Sequence, residues 1–394
     1  MLAALCAALL VQAPTASGPP PPDRATPDRA TPDRATPDRA TPDRATLDRT
    51  TLDRTTLDRT TLAARIEQAA EPDPTRPFWG ALLVVWRGET VFERGFGPAD
   101  LAGRPVDAHT LFDVGSVSKQ FTAAAVLRLV REGRLALDDT LGEHFESAPA
   151  PQRAITVEQL LCHRSGLRQT AETDEKAAAF DESSLSWERH LLTRPLAHEP
   201  GKLFAYCNYN YLLLALLVER CSGRSFEAYV RASVLEPAGM ASARFVGECD
   251  GDTSAQALRR HRYRRPGPPP RACQWAWGPG YRGATGLLCS LDGLRAWHAA
   301  LATDAVLDSS ERALVFVAPE RRYAFGWYAV AGEHGRVWHT HDGRTDGFRS
   351  SLSRCAGENA LVVVLTNEAT AANLIDQRIR GALPAPDAAQ PGEP

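Results

Sequence analysis

Strand-like runs of apolar residues stand at both ends of the region that predicts a fold. Residues 81–97, ALLVVWRGETVFERGFG, predict a β-hairpin, because two runs of β-forming residues flank an Arg-Gly-Glu turn. Near the other end, residues 335–343, 345–355 and 360–368 predict consecutive strands. We therefore expect a sheet that is built from the N-terminal and C-terminal parts of the chain.

Helical patterns fill the stretch between these strands. Residues 116–135 predict a helix that ends near Gly133, and residues 204–223 contain a second helix that is apolar enough to be largely buried. A last helix is expected at about 370–382. Strands at both ends with helices between them predict an α/β (α+β) domain over residues 62–382, in which the middle of the chain forms a helical lobe.

A pentapeptide repeat precedes this domain. The unit PDRAT occurs five times from Pro22, and the unit LDRTT follows three times from Leu47. Each unit is polar and electrically neutral, so the segment cannot bury enough apolar surface to offset the entropy lost on ordering. We expect residues 18–61 to form a disordered linker, either a spacer between domain and membrane or wall, or a repeat expansion without a role. Residues 383–394 are expected to form a disordered tail.

The first residues of the chain resemble a signal peptide. An apolar stretch runs from Leu2 to Val11, and small residues that resemble a signal-peptidase site follow it. No basic residue precedes the stretch, so an ordinary disordered N-terminus is the alternative for residues 1–17. We expect the protein to be exported, either to the periplasm or outside the cell. No apolar run approaches the roughly 20 residues that cross a bilayer, so no membrane-spanning segment is predicted.

Composition narrows the classes of partner and cofactor. With 394 residues, a hydrophobic fraction of 43% and a net charge of −3, the chain resembles a soluble globular protein, and nothing indicates a nucleic-acid partner. Its eight cysteines include no C-x-x-C pair, which disfavours a metal cluster. We therefore predict no metal cluster. Disulfide pairing and oligomeric state stay open.

The distribution of lysine points to candidate chemistry. The chain has three lysines, Lys119, Lys176 and Lys202, among 45 basic residues, so it uses arginine almost everywhere. Lys119 follows Ser116 by three residues, which places both side chains on one face of the predicted helix. A lysine held against a serine hydroxyl can lose its proton and act as a base, whereas arginine cannot, because its pKa is above about 12.

Two further motifs contain groups that suit acyl transfer. Tyr206 and Asn208 form Y-x-N, in which the tyrosine could relay the serine's proton and the asparagine could hydrogen-bond a substrate amide. His341 and Gly343 form H-x-G between two predicted strands, where a glycine would let substrate approach the strand backbone closely. Alone, each motif is more typical of a turn, a cap or a surface helix. Together they favour an active site.

These motifs lie in blocks that resemble class C β-lactamase-related serine hydrolases. The blocks are, in chain order, LFDVGSVSKQFTAAAVLRLVREGRLALDDTL, ITVEQLLCHRSGL, HEPGKLFAYCNYNYLLLALLVERCSGRSFEAYVRASVLEPAGM, GATGLLCSLDGLRAW and HDGRTDGFRSSLSRC. They cover about residues 75–370 and leave out the repeat. The chain thus resembles the penicillin-recognising superfamily of β-lactamases, DD-peptidases and esterases.

The resemblance implies both a fold and a mechanism. The fold would be β-lactamase/transpeptidase-like, with an antiparallel five-stranded sheet flanked by helices and an all-helical lobe. Ser116 would accept the acyl group, with Lys119 and Tyr206 sharing the general-base work. Asn208 would bind the substrate's amide. The backbone N–H groups of Ser116 and Arg344 would form the oxyanion hole, and the resemblance implies no cofactor.

One departure from the family pattern concerns the substrate. The β-lactamases themselves carry Lys-Thr-Gly where this chain has His341, Asp342 and Gly343. A histidine is mostly neutral at pH 7, and Asp342 adds a negative charge close to the site, so both disfavour an anionic β-lactam. We predict a serine hydrolase of the esterase or D-amino-acid peptidase type that acts on a small-molecule or peptide acyl substrate. A true β-lactamase or DD-peptidase is the alternative. His163, in LLCHRSGL, is expected to be structural and to pack near the site.

Functions of other classes compete with this prediction. His339 and His341 would point to the same side of a strand, as metal ligands could, but no further ligand cluster accompanies them. A non-catalytic binding or scaffold protein on the same fold is a second alternative. It is disfavoured because all four side chains of the first two motifs are present. The chain has no G-x-S-x-G elbow, which argues against an α/β-hydrolase.

Overall fold

The computed structural model describes residues 59–70, 78–169, 184–248, 253–256, 282–317, 321–345, 347–368 and 372–385. The predicted leader, nearly all of the predicted linker and most of the predicted tail lie outside these residues, so those predictions stay predictions. Helix α1 begins at Arg59, within the last unit of the repeat. Among the described helices, none combines the length and the apolar character that crossing a bilayer requires.

A seven-stranded antiparallel sheet forms the centre of the domain. The strands, in chain order, are β1 (Gly80–Trp86), β2 (Glu89–Phe96), β3 (Phe112–Asp113), β4 (Arg244–Phe245), β5 (Leu287–Cys289), β6 (Tyr323–Ala324), β7 (Trp327–Ala331), β8 (Val337–Thr345), β9 (Phe348–Cys355) and β10 (Ala360–Thr366). The large sheet has the order β2-β1-β10-β9-β8-β7-β6, so the N-terminal hairpin lies beside the last strand, as predicted. Strands β3, β5 and β4 form a small second sheet.

The expectation of five strands in the main sheet is wrong in number, although the fold class is confirmed. The five predicted strands are β1, β2, β8, β9 and β10, and the hairpin of β6 and β7 adds two more at the edge. This hairpin turns at Phe325 and Gly326, whose φ angles are 49° and 88°. A phenylalanine rarely adopts positive φ, so the residue types alone do not predict a turn there.

Helices cover both faces of the main sheet. They are α1 (Arg59–Ala70), α2 (Ser118–Arg131), α3 (Leu141–His144), α4 (Ala150–Arg153), α5 (Val157–Leu161), α6 (Ser184–Leu192), α7 (Asn208–Ser222), α8 (Phe226–Val230), α9 (Leu291–Ala300), α10 (Ser309–Val315) and α11 (Ala372–Ala382). Helices α1 and α11 cover one face. The predicted helices at 116–135, 204–223 and 370–382 correspond to α2, α7 and α11.

Alternation along the central strands divides the apolar side chains between two cores. In β1, Leu82 and Val84 pack with α1 and α11, whereas Leu83 and Val85 pack with α2, α7 and the helices around them. Because both faces are covered, β1 is buried along its whole length, which explains its uninterrupted apolar sequence. The larger core holds the N-terminal end of α2 against the sheet, where the candidate site lies.

Candidate active site

Ser116 lies in a tight turn that is fixed from several sides. The α-helix begins two residues later than predicted, since Ser116 lies in a 3₁₀ turn, Gly115–Val117, and α2 begins at Ser118. The Gly115 N–H donates to Asp113 Oδ1 at 2.8 Å, and the Val114 N–H donates to the Leu287 carbonyl of β5 at 3.0 Å. The small sheet therefore holds the backbone that carries the predicted nucleophile.

Lys119 is the hub of the site. Its side chain is fully buried, at 0% exposure, in the first turn of α2. Nζ lies 3.1 Å from Ser116 Oγ, 2.9 Å from Asn208 Oδ1 and 2.9 Å from the Ala284 carbonyl oxygen. An ammonium group has three N–H donors, so these three oxygens match its hydrogen-bonding capacity. The structure thus brings the S-x-x-K and Y-x-N motifs together, as the sequence predicts.

Tyr206 completes the contacts of the serine. Its hydroxyl is hydrogen-bonded to the Ser116 side chain, and its ring centroid lies 5.1 Å from Lys119 Nζ. Burial raises the pKa of Tyr206 well above its ordinary value of 10.0, and the hydrogen bond with Ser116 offsets only part of this rise. Tyr206 is therefore a neutral phenol at rest. It can pass a proton on, but it is not a resting tyrosinate.

Asn208 stands at the first position of α7 and faces the same group of atoms. Its backbone N–H donates to Gln169 Oε1 at 2.6 Å. Because its Oδ1 accepts from Lys119, the amide –NH₂ of its side chain is the part that can donate to a substrate carbonyl. This orientation fits the predicted role of Asn208.

Strand β8 offers an open edge beside Ser116. Strand β7 pairs only with 337–340, so among the described residues no strand pairs with His341 to Thr345 on that side. The backbone nitrogen of Arg344 lies so near Gly115 that a Cβ built on that glycine would fall 2.6 Å from it. The N–H of Arg344 is therefore next to the turn of Ser116, where an oxyanion hole requires a donor.

Gly343 has a packing role that the sequence did not predict. A Cβ at this position would lie 1.9 Å from the Val114 carbonyl oxygen and 2.2 Å from Ser350 Oγ. The space that a side chain would take is filled by the chain itself, while the approach of substrate to the backbone of Gly343 stays a prediction. Its missing side chain instead lets β8 pack directly against the turn before Ser116.

His341 is at the site but is covered. Its side chain is 2% exposed, and its Nδ1–H donates to the Asp342 carbonyl at 2.8 Å. The rings of Tyr206 and Tyr328 lie 6.1 and 5.4 Å from its own. Burial, with the nearby Lys119 charge, lowers the pKa of His341 to about 3, so the imidazole is neutral at physiological pH. The expectation that its side chain contacts substrate is therefore not met in this structure.

Asp342 points away from His341. Neighbouring residues of a strand face opposite sides of the sheet, and Asp342 accepts a hydrogen bond from Ser351 at 2.8 Å on the face that α11 covers. The expectation that it places a negative charge in the site is wrong for this reason. Burial raises the pKa of Asp342, while Ser351 and the charge of Arg380 act in the opposite direction.

His163 supports the Y-x-N segment from behind. The imidazole is fully buried, and its Nδ1 accepts from the Cys207 N–H at 3.3 Å and lies 2.9 Å from Asn210 Nδ2. Its ring centroid is 4.2 Å from that of Tyr206. Burial, together with the charge of Lys119, lowers the pKa of His163 well below its ordinary value, so it stays neutral. This agrees with the structural role that the family resemblance implied.

The histidine pair of β8 does not form a metal centre within the described residues. His339 Nε2 donates to the Val317 carbonyl at 3.0 Å, and His341 uses Nδ1 on Asp342. No group of three or more His, Cys, Asp or Glu side chains in the described part of the chain could hold a metal ion.

Sequence reasoning missed two groups of the site, one that contacts Lys119 and one that contacts Asn208. The Ala284 carbonyl accepts from Lys119, and Gln169 holds the backbone of Asn208. A backbone carbonyl has no residue-type signature, and only its place in the family-like block GATGLLCS could have pointed to it. Gln169 lies just beyond the block that ends at Leu167, so no signal marked it.

On this fold, Ser116 is hydrogen-bonded to a buried lysine and a neutral tyrosine beside an open strand edge. This arrangement defines the class of penicillin-recognising serine hydrolases. The comparison with known families agrees. The chain belongs to the β-lactamase family, whose sequence profile matches residues 66–383.

Particular relatives show how far the likeness extends. The chain is 25% identical to Protein flp of Staphylococcus aureus (strain N315) over 300 residues, which are 73% of this chain and 59% of that protein. It is 30% identical to penicillin-binding protein 4* of Bacillus subtilis (strain 168) over 171 residues, or 41% and 37% of the two chains. The match thus spans less than two thirds of either relative. A solved class C β-lactamase superposes with a TM-score of 0.70 at 16% identity, covering 84% of this chain and 99% of that one, which shows the shared fold.

Proposed function

We propose that this protein is a serine hydrolase that cleaves an uncharged ester or amide through an acyl-enzyme on Ser116. The observation that carries the proposal is the set of contacts at Lys119, whose Nζ joins Ser116 Oγ, Asn208 Oδ1 and the Ala284 carbonyl in a fully buried position. A buried lysine with no carboxylate among these partners is a group that can give up its proton.

The three contacts serve both protonation states of Lys119. As an ammonium, Nζ donates to all three oxygens. As a neutral amine, it has two N–H groups and one lone pair, so it can donate to Asn208 and Ala284 while accepting from the Ser116 hydroxyl. The neutral form is the general base of the proposed mechanism. No rearrangement of the surroundings is needed when the proton moves.

The reaction would then proceed in two halves. Ser116 Oγ attacks the substrate carbonyl carbon, and its proton passes to Lys119, with Tyr206 able to relay it. The oxygen that becomes negative is held by the N–H groups of Ser116 and Arg344. When the tetrahedral intermediate collapses, the leaving alcohol or amine takes the proton and the acyl group stays on Ser116. A water molecule, deprotonated by the same base, attacks the acyl-enzyme and releases the acid.

The charge of the site favours an uncharged substrate. The β-lactamases have a lysine where this chain has His341, and the imidazole here is neutral because burial lowers its pKa to about 3. No cation at this position is available to bind a carboxylate. An esterase, or a D-amino-acid peptidase whose substrate has no free C-terminal carboxylate, therefore fits better than hydrolysis of an anionic β-lactam. Since Asp342 faces away, this argument now depends on His341 alone.

The test is covalent labelling followed by a substrate panel. A fluorophosphonate probe should label the purified protein, and peptide mapping should place the label on Ser116. The Ser116→Ala variant should not label. The same protein is then assayed with a chromogenic short-chain ester, a D-Ala-D-Ala peptide and nitrocefin. The ester is expected to be fastest, because the peptide and nitrocefin each carry a carboxylate. A folded protein that neither labels nor hydrolyses any of them would be a non-catalytic member of the family.

A further inference from the structure

Two adjacent apolar side chains are exposed at the mouth of the site. Leu203 and Phe204 are 56% and 46% exposed, and only Ala205 separates them from Tyr206 in the chain. Two residues span at most about 7 Å, so the Cα atoms of Phe204 and Tyr206 lie within that distance of each other. Single exposed apolar residues are common, but a pair beside a reactive serine forms a patch that substrate would meet.

The backbone keeps this pair exposed. On one side of it the Gly201 N–H donates to the Arg164 carbonyl at 2.7 Å, and on the other the Ala205 N–H donates to the His163 carbonyl at 2.8 Å. A Cβ on Gly166 would lie 2.1 Å from the His198 carbonyl, so the two segments touch there as well. With both flanks fixed to one neighbouring segment, the loop cannot turn its apolar residues inward.

An aromatic wall connects the pair to the catalytic groups. The ring of Phe204 lies 5.7 Å from that of Tyr323 and 6.5 Å from that of Tyr328. The ring of Tyr323 lies 6.2 Å from that of Tyr206. These are separations at which aromatic rings pack edge to face. Tyr328 is only half-buried, so its ring extends the surface that Phe204 begins.

We propose that Phe204, with Leu203 and Tyr328, forms an apolar subsite for an uncharged aromatic or branched aliphatic group of the substrate. This inference rests on the proposed serine hydrolase function and names its substrate class more closely. The three side chains carry no charge, and the neighbouring His341 is neutral. A charged group bound there would lose hydration without gaining a partner, whereas an aryl ring would bury apolar surface against rings already held in place.

The experiment compares four esters that are built from two acyl groups and two alcohols, so that each half of the ester can be varied separately. They combine an acetyl or phenylacetyl acyl group with an ethyl or benzyl alcohol, and hydrolysis is followed by pH-stat. Wild type should prefer at least one aryl-bearing ester over ethyl acetate. Phe204→Ala should reduce that preference in kcat/KM by about tenfold, the scale of losing apolar contacts in a pocket. It should reduce kcat/KM on ethyl acetate by a clearly smaller factor, because that ester has no aryl group to place against Phe204.

Two further variants keep the result interpretable. Leu203→Ala removes an apolar group that is more exposed than Phe204, and it should reduce the aryl preference to a smaller extent. Leu374→Ala is the matched control, because Leu374 is 51% exposed on α11, which covers the other face of the sheet. It should change no ratio.

Each outcome decides between the two proposals. An aryl preference that survives in both Phe204→Ala and Leu203→Ala, with normal Ser116 labelling, would overturn the subsite and leave the hydrolase intact. Equal loss of rate on all four esters would also overturn it, since Phe204 would then only support Tyr206. If wild type neither labels nor hydrolyses any ester, the proposed function fails and the subsite fails with it.

Discussion

Replacing Lys119 by arginine separates the charge of this residue from its ability to act as a base. Lys119 is one of three lysines in a chain that otherwise uses arginine, and its Nζ touches Ser116 Oγ at 3.1 Å. Arginine keeps the positive charge and the capacity to donate. It cannot take up a proton from serine, because the guanidinium does not lose its own at any pH the protein survives.

The structure sets the size of the expected effect. Loss of general-base assistance alone typically lowers the rate by about 10²- to 10⁴-fold. The side chain is fully buried and its three acceptors surround one nitrogen, so the larger planar head also overfills the space. Overpacking costs about 1–3 kcal/mol of stability. We therefore expect Lys119→Arg to remain folded, with a lower midpoint of unfolding, and to acylate at least about 100-fold more slowly.

The assay is single-turnover acylation by a fluorophosphonate or a chromogenic ester, with circular dichroism to check folding. Lys119→Met removes the base without overfilling the space, and it should be as slow as Lys119→Arg. Lys202→Arg is the matched control, since Lys202 is an exposed lysine in the same chain and its replacement should change nothing. Adding Ser116→Ala to either Lys119 variant should make it little worse, because residues that act as a unit are not additive.

A folded Lys119→Arg protein that acylates within tenfold of wild type would refute this reasoning. Lys119 would then supply only a positive charge and a hydrogen bond to Ser116. The base would have to be another group, and Tyr206 would be the first to test.

Further changes probe the support of the site. Gly343→Ala should lower both stability and activity, because its Cβ would collide with the Val114 carbonyl at 1.9 Å; Gly357→Ala, with nothing within 4 Å, should change the midpoint of urea unfolding little. Burial raises the pKa of Asp113 from 3.8 to about 6, so the stability it contributes is full below about pH 4 and is lost as pH rises through 6. In urea unfolding, the free energy of unfolding of Asp113→Asn relative to wild type should therefore rise by up to about 3 kcal/mol between pH 4 and pH 7. A relative stability that falls over this pH range would contradict this. His341→Lys should improve acylation by penicillin relative to an uncharged ester by about fivefold, as for a hydrogen bond that gains a charge, and an unchanged ratio would place selectivity elsewhere.

The sequence predicts the elements of this fold well where one physical rule decides them. The hairpin of β1 and β2 follows from two β-rich runs around a turn. Helix α7 ends at Ser222 and is capped by Gly223, whose φ of 68° suits glycine. Five of the seven strands in the sheet are predicted for the same kind of reason. The two that are missed depend on a turn through Phe325, which only tertiary packing can hold at positive φ.

The sequence predicts which residues belong to the site better than it predicts where their side chains face. The motifs name Ser116, Lys119 and Asn208, and the structure places Ser116 Oγ and Asn208 Oδ1 within hydrogen-bond distance of Lys119 Nζ. The spacing of residues in the sequence does not tell which face of a strand is covered by the helices and turns that pack against the sheet. The H-x-G motif therefore indicated substrate contacts, whereas the structure buries His341 and packs Gly343 against Val114.

The neutral His341 near Lys119 has consequences for both catalysis and substrate selectivity. A second cation beside an ammonium makes the proton easier to lose, because like charges repel more strongly in a buried site. The β-lactamases place a lysine at the position of His341, but in this chain the imidazole is neutral and adds no repulsion. In the proposed mechanism, burial favours the loss of the proton from Lys119, and its three oxygen partners can be satisfied in either protonation state. The neutral His341 offers no charge to bind a carboxylate and adds no repulsion to a charged Lys119. Both consequences fit the proposed enzyme for uncharged acyl substrates.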